Sequence, residues 1–201
     1  MGASWLVLFG VLYAENFLPK PAFLRLQDAC TVARKDLREE PDCLAEGRRF
    51  NELEYDTEIV KTLCSAEAQK KLNTMLGTKD LRLAVDTPPE LRSYGKGASM
   101  DWHRDDQLYT VPQYECVFTV ENHSDSKTEW IDEDNILHSH WTPPNSIIAF
   151  KAQDAMHRVT PLGEGRRDIV KFVLTSTHER TDDYYELVPR RFWHLGLSVP
   201  L

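Results

Sequence analysis

The sequence predicts an α+β fold that is mainly β: a sheet sandwich or barrel backed by N-terminal helices. Three observations carry this. Two stretches before Gly77 repeat apolar residues at helical spacing. After Gly77 the pattern changes to short runs rich in branched and aromatic residues, the composition of strands. Turn signals separate those runs: "GKG", "VPQ", "HSDSK", "TPPNS" and "PLGEG". Helices followed by many short strands place the helices on one side of a closed or stacked sheet.

The N-terminal stretch "SWLVLFGVLY", Ser4 to Tyr13, is apolar for about ten residues, too short to span a bilayer. No Lys or Arg precedes it, the first being Lys20, and no clear small-residue cleavage site comes after it. It reads as a buried first strand in a chain made for the cytoplasm, with a secretion signal as the alternative. A helix is expected over Pro21–Glu39, with Phe23, Leu26, Ala29, Ala33 and Leu37 on its apolar face, Pro21 in its first turn and Pro41 as the stop beyond its end. "PDCLAEGRRFNELEYD" reads as polar and irregular. A second helical region is expected over Thr57–Leu76, with Ile59, Leu63, Leu72 and Met75 inward and Gly77 ending it. Strands are expected around Arg92–Tyr94, Tyr114–Glu121, Ser146–Lys151, His157–Thr160 and Asp168–Ser176. The acidic runs "DDQ", "WIDEDN" and "RTDDYYE" read as solvated loops.

Composition narrows the function. The chain has 201 residues, 41% hydrophobic and 28% charged, with a formal net charge of −8. That suits a globular chain able to bury a core. The acidity argues against a surface built to hold nucleic-acid phosphates. Cys30, Cys43, Cys64 and Cys116 stand at no zinc-finger or CxxC spacing and read as scattered thiols, with a Cys30–Cys43 bridge left open.

The chemistry concentrates in "MDWHRDDQLY", Met100 to Tyr109. His103 and Asp105 stand two apart, which on a strand puts an imidazole and a carboxylate on one face. Two histidines and one carboxylate on a face suit a non-haem iron. The third ligand is then another histidine: His157, with His123, His138, His140, His178 and His194 also on offer. His157 opens "HRVTPLGEGRRDIVKFVL", in which a basic pair, Arg166 and Arg167, begins the next strand. An arginine there could hold a carboxylate through two hydrogen bonds.

HxD, about fifty further residues, HxVxPxxxG and then an Arg nine or ten residues after the histidine resemble the 2-oxoglutarate- and Fe(II)-dependent dioxygenases, most of all their prolyl-hydroxylase-like branch. The resemblance covers roughly Leu91 to Thr177, and "AENFLPKPAFLRLQDAC" is similar to the family's lead-in strand and first helix. It implies a double-stranded β-helix, a jelly-roll barrel whose mouth holds the metal. It implies one catalytic domain over residues 1–201, with strand and helices to about 77 and the barrel over about 80–180. Carried over, His103, Asp105 and His157 would bind iron. Arg166 or Arg167 would bind the distal carboxylate of 2-oxoglutarate: the spacing after Gly165 favours Arg167, the buried-face pattern mildly favours Arg166. Tyr94 stands where the branch often keeps a tyrosine on the same carboxylate. "PPNSIIAF" is similar to the turn and strand before the distal histidine, with Asn145 where Gly is usual; Asn tolerates the left-handed turn. "HSHW", His138 to Trp141, reads as a strand or loop near the mouth rather than a metal site, Met100 and Trp102 as candidates to line the pocket, and Arg104 as pointing away.

The cofactors implied are Fe(II), 2-oxoglutarate and O2, with ascorbate as a candidate reductant. The reaction implied hydroxylates an unactivated C–H bond and releases succinate and CO2. A peptidyl side chain such as proline is the leading substrate, a small metabolite the second and nucleic acid the third; no membrane partner is expected. Two rivals are a metal-binding barrel without turnover and a cupin-like hydrolase or isomerase.

Overall fold

The computed structural model describes residues 5–8, 10–40 and 43–191. Strands β1 (Trp5–Leu8) and β2 (Val11–Ala14) form an antiparallel hairpin. Gly10 turns between them at φ 79°, a conformation open to glycine. The single strand expected here is therefore two; Ser4 and Pro41 lie outside the described residues. Helix α1 (Lys20–Ala33) has Pro21 in its first turn and buries Leu26 and Cys30, with Phe23, Ala29 and Ala33 packed alongside. It stops short of Glu39. A 3-10 turn over Arg34–Asp36 leads into β3 (Arg38–Glu39), which pairs with β4 (Ala45–Glu52). Leu37 is buried as the helical spacing required, but from extended backbone at ψ 129°. Strand pairing overrides helical periodicity at that point.

β4 itself corrects the irregular reading of this stretch. One of its buried residues is the charged Arg48, so its alternation is invisible to a hydrophobic pattern. The second helical region is two helices, α2 (Glu58–Leu63) and α3 (Ala66–Leu76). Thr57 caps the first through Val60 N, and Ser65 caps the second through Ala68 N. Gly77 ends α3 at φ 68°, and Ile59, Leu63, Leu72 and Met75 are buried as expected.

The remaining elements are β5 (Arg82–Leu83), β6 (Glu90–His103), β7 (Gln113–Asn122), β8 (Thr128–Ile131), β9 (Leu137–His140), β10 (Ser146–Lys151), β11 (Met156–Val159), β12 (Arg167–Thr175) and α4 (Asp182–Arg191). The expected strands fall in β6, β7, β10, β11 and β12. Part of "WIDEDN" belongs to β8, and "RTDDYYE" opens α4 rather than a loop. Asp182 and Asp183 sit in that helix's first turn, where negative charge is favourable, and Tyr184 and Val188 bury one face. "GKG" is no turn. It is a bend inside the fourteen residues of β6, with Gly97 at φ 83°.

The strands form a 12-stranded sheet in the order β1-β2-β10-β7-β12-β6-β11-β8-β9, with β4 also on β6 and β5 on β12. Residues far apart in that order touch. Trp130 of β8 meets Phe150 of β10 edge-on at 6.3 Å, and His140 of β9 lies 5.2 Å from Tyr13 of β2. The sheet is therefore rolled on itself. β6 makes the roll possible: its first half pairs with β12 and, past the glycine bend, its second half pairs with β11. This is the jelly-roll, double-stranded β-helix architecture. The helices cover the outer face of one layer, where the Phe17 and Phe23 rings lie 6.2 and 6.1 Å from that of Phe118. Val170, Phe172 and Leu174 join that outer core, while Tyr94, Ala98, Leu162 and Ile169 pack in a separate, inner one. No helix among the described residues is long and apolar enough to cross a membrane.

Candidate active site

His103 closes β6, and His157 lies directly opposite it in β11. Cross-strand partners project to the same side, and the two rings are 4.2 Å apart between centroids. Asp105 departs from expectation in its backbone: it lies past the end of β6, not on the strand. Its carboxylate still reaches the pair, with Oδ2 3.5 Å from His157 Nε2 and Oδ1 4.0 Å from His103 Nε2. One ligand atom from each residue lies within 4.8 Å of the others, and no other such group of three occurs among the described residues.

Both imidazoles are oriented from behind. His103 Nδ1 is 2.8 Å from Asp101 O, and His157 Nδ1 is 3.1 Å from Ala155 O. A carbonyl only accepts, so Nδ1 carries the hydrogen and Nε2 keeps a lone pair turned towards Asp105. Phe150 stacks flat on the His157 ring at 4.0 Å. Burial lowers the pKa of both histidines, His103 further through His157, and burial raises that of Asp105 against the pull of Lys171 and His103. The buried Asp105 Oδ2 has no hydrogen-bond partner. Two imidazole lone pairs and an unpartnered carboxylate oxygen make a donor set suited to a divalent cation.

The second feature is a cation. Arg167 starts β12 opposite Tyr94 of β6, and its side chain is buried in the barrel. Nη2 donates to Thr128 Oγ1 at 2.7 Å, while Nε and Nη1 have no partner. Burial, with no carboxylate opposing it, brings its pKa down to about 10. The other interior cations are matched: Arg48 with Glu40, Arg92 with Glu90 at 2.6 Å, and Lys171 with Glu115 at 2.5 Å. Arg166 faces the opposite way, 40% exposed and ion-paired with Glu121 and Asp168. The buried-face pattern pointed mildly to Arg166 because Asp168, Val170 and Phe172 share its face and are buried. They are buried on the helix side; Ile169 and Val173, which share Arg167's face, are buried too.

Tyr94 is buried, and its Oη accepts from Arg48 Nη1 at 3.2 Å and lies 3.9 Å from Met100 Sδ. Arg48 belongs to the stretch read as irregular, and nothing in its sequence context marked it. Trp102 lies under the Arg158 guanidinium at 4.7 Å, and Arg104 is exposed. His138 and His140 stack on Trp130 at 5.1 and 4.8 Å, and His138 Nε2 meets Asp132 Oδ2 at 2.8 Å; both histidines belong to β9, and Trp141 follows its end. His123 and His178 are exposed, and His194 lies outside the described residues.

No family model matches the chain, and no curated protein matches it. Solved structures do. A prolyl-4-hydroxylase from Pseudomonas putida superposes with TM-score 0.68 at 17% identity, over 84% of this chain and 94% of that one. A prolyl hydroxylase from Trichoplax adhaerens, in complex with a peptide fragment of the hypoxia inducible factor oxygen degradation domain, gives 0.69 at 13% identity over 84% of each. HygX from Streptomyces hygroscopicus, with nickel and 2-oxoglutarate bound, gives 0.64 at 11% identity over 85% and 84%. At these identities the likeness is one of fold. The chain has the double-stranded β-helix fold of these proteins.

Proposed function

We propose that the protein is a 2-oxoglutarate- and Fe(II)-dependent oxygenase that hydroxylates an unactivated C–H bond. The observation that carries this reading is a matched pair of unsatisfied groups in one barrel. Two imidazole nitrogens and the unpartnered Asp105 Oδ2 suit a divalent cation, and a buried guanidinium with Nε and Nη1 unpartnered suits an anion. A rival metal-binding barrel gives a reason for the first and none for the second. His103, Asp105 and His157 would hold Fe(II), and Arg167 would hold the distal carboxylate of 2-oxoglutarate. Tyr94, opposite Arg167, would share that carboxylate.

With 2-oxoglutarate and O2, the iron would supply oxidative decarboxylation to succinate and CO2 coupled to hydroxylation. The chain's own residues orient and dry the site. Carbonyls at Asp101 and Ala155 fix the imidazole tautomers, Phe150 covers one face of His157, and the buried wall of Tyr94, Ala98, Leu162 and Ile169 limits water near Arg167. The proposed substrate is a peptidyl side chain such as proline, supported by likeness to two prolyl hydroxylases, one of them peptide-bound. A small metabolite is the second reading.

The test is succinate formation from 2-oxoglutarate by the Fe(II)-loaded protein under O2, screened with peptide and metabolite libraries for stimulation. His157→Ala should lose metal and turnover while the barrel stays folded. Iron binding without succinate under any substrate would leave a metal-binding barrel as the better account.

A further inference from the structure

Asp105 sits on backbone with no ladder to hold it. Residues 104–108, just past the end of β6, belong to no strand. Segments outside regular structure are ordinarily the mobile part of a fold, yet a metal ligand must be placed to within a fraction of an ångström.

Two side-chain amides stand in for a ladder around Asp105, while Thr181 holds the far end of the segment through Gln107 O and Leu108 O. Gln113, the first residue of β7, is fully buried and uses its whole hydrogen-bonding capacity. Its Oε1 accepts from Leu108 N at 2.7 Å and Tyr109 N at 3.2 Å. Its Nε2 donates to Asp106 O at 2.8 Å and to Glu115 Oε1 at 3.0 Å. Three of the four bonds therefore clamp the backbone immediately after Asp105, and the fourth ties the clamp to Glu115, itself ion-paired to Lys171. From the other side Gln153, at φ 65°, donates both its backbone N–H and its Nε2 to Asp105 O, each at 3.1 Å.

We propose that Gln113 is a positioning residue for the Asp105 carboxylate, with Gln153 as its weaker counterpart. The inference rests on the metal reading above. The four hydrogen bonds of Gln113 go to residues other than the two histidines. It acts through the backbone of residues 106–109, holding the turn at which the carboxylate swings back between His103 and His157. Two of its bonds need an acceptor and two need donors, so among isosteric residues a glutamate cannot replace it: a carboxylate would face Asp106 O and Glu115.

The test is Co(II) titration of the full chain, read by affinity and by the visible ligand-field bands. Gln113→Met should weaken Co(II) about 10–100-fold, the usual scale for losing an outer partner of a ligand, and should change the band pattern. The effect must vanish in an Asp105→Ala background, because it works through that carboxylate. Equal weakening in both backgrounds, or none in the wild-type background, overturns the inference. If Asp105→Ala alone leaves Co(II) affinity unchanged, the metal reading itself falls and takes the inference with it. Should Gln113→Met fail to fold, Gln153→Gly carries the test. It keeps the positive φ and the backbone donor and removes the side chain with its Nε2 bond to Asp105 O. A weakening of about 2–5-fold that disappears in the Asp105→Ala background supports the proposal, and no change overturns it.

Discussion

Replacing Arg167 with alanine should separate the proposed 2-oxoglutarate binding from the proposed metal binding. The guanidinium is 1% exposed, spends Nη2 on Thr128, and leaves Nε and Nη1 free for an incoming carboxylate. Truncating one side of a buried charge pair costs about 2–5 kcal/mol. That is about 30- to 4,000-fold in 2-oxoglutarate affinity. Metal should still bind, because its ligands lie on β6, the turn after it and β11. Tyr94→Phe removes one neutral hydrogen bond and should cost about 0.5–1.5 kcal/mol. Arg166→Ala, at an exposed and already ion-paired position, should leave 2-oxoglutarate affinity near wild type. A second arm reads stability. Both folded and unfolded Arg167 are cationic at neutral pH, so the whole cost of burying it is present there. A pKa lowered to about 10 corresponds to about 3 kcal/mol of unfavourable burial. Arg167→Met removes that cost and loses about 1 kcal/mol with the Thr128 bond, so the apo protein should melt about 4–8 °C higher. The assays are anaerobic calorimetry of 2-oxoglutarate against metal-loaded variants, and thermal denaturation of the apo forms. Loss of affinity in Arg166→Ala with Arg167→Ala unchanged would refute the assignment, and a lower apo Tm in Arg167→Met would refute the account of an unpaired buried cation.

Three further outcomes test the fold around the site. Gly165 stands at φ 79°, and a Cβ there would lie 2.0 Å from His123 O; Gly165→Ala should destabilise by more than about 3 kcal/mol, and an unchanged Tm would contradict the close backbone approach. Asn145, at φ 65°, exchanges two side-chain hydrogen bonds with the backbone of Leu18, at 2.8 and 2.9 Å. Asn145→Ala should cost about 2–4 kcal/mol, two bonds plus left-handed strain, and Asn145→Gly only about 1–2 kcal/mol; equal losses in urea denaturation would remove strain from the explanation. All four cysteines are free thiols, and burial pushes Cys30 and Cys64 up to about 12 and Cys116 well above its ordinary value. Alkylation at pH 8 followed by mass mapping should label Cys43 first and reach the others only in denaturant, since a thiol at that pKa is ionised in about one molecule in ten thousand; rapid native labelling of Cys30 would count against its burial.

The sequence by itself determined what local periodicity and short motifs can encode. Leu26, Ile59, Leu63, Leu72 and Met75 declared the helices' buried faces, because a 3.6-residue repeat is set by the backbone alone. Gly77 marked a left-handed cap, and Asn145 a left-handed turn, because few residues tolerate positive φ. "HxD" and "HxVxP" singled out His103, Asp105 and His157, and the structure brings those three together. Where the deciding partner is distant in the chain, the sequence was silent. Arg48, Gln113 and Gln153 are polar residues in unremarkable contexts; only the rolled sheet brings Arg48 to Tyr94 and the two amides to the backbone around Asp105. The tertiary structure also separates Arg166 from Arg167, turning the second into the barrel and the first towards Glu121 and Asp168. Both faces of β12 are buried, one under helices and one inside the barrel, so a hydrophobic pattern could not tell them apart. What distinguishes the two arginines is charge balance: Arg166 has Glu121 and Asp168, and Arg167 has no carboxylate among the described residues. That balance is a sum over β6, β8 and β12, and it exists only once they are side by side.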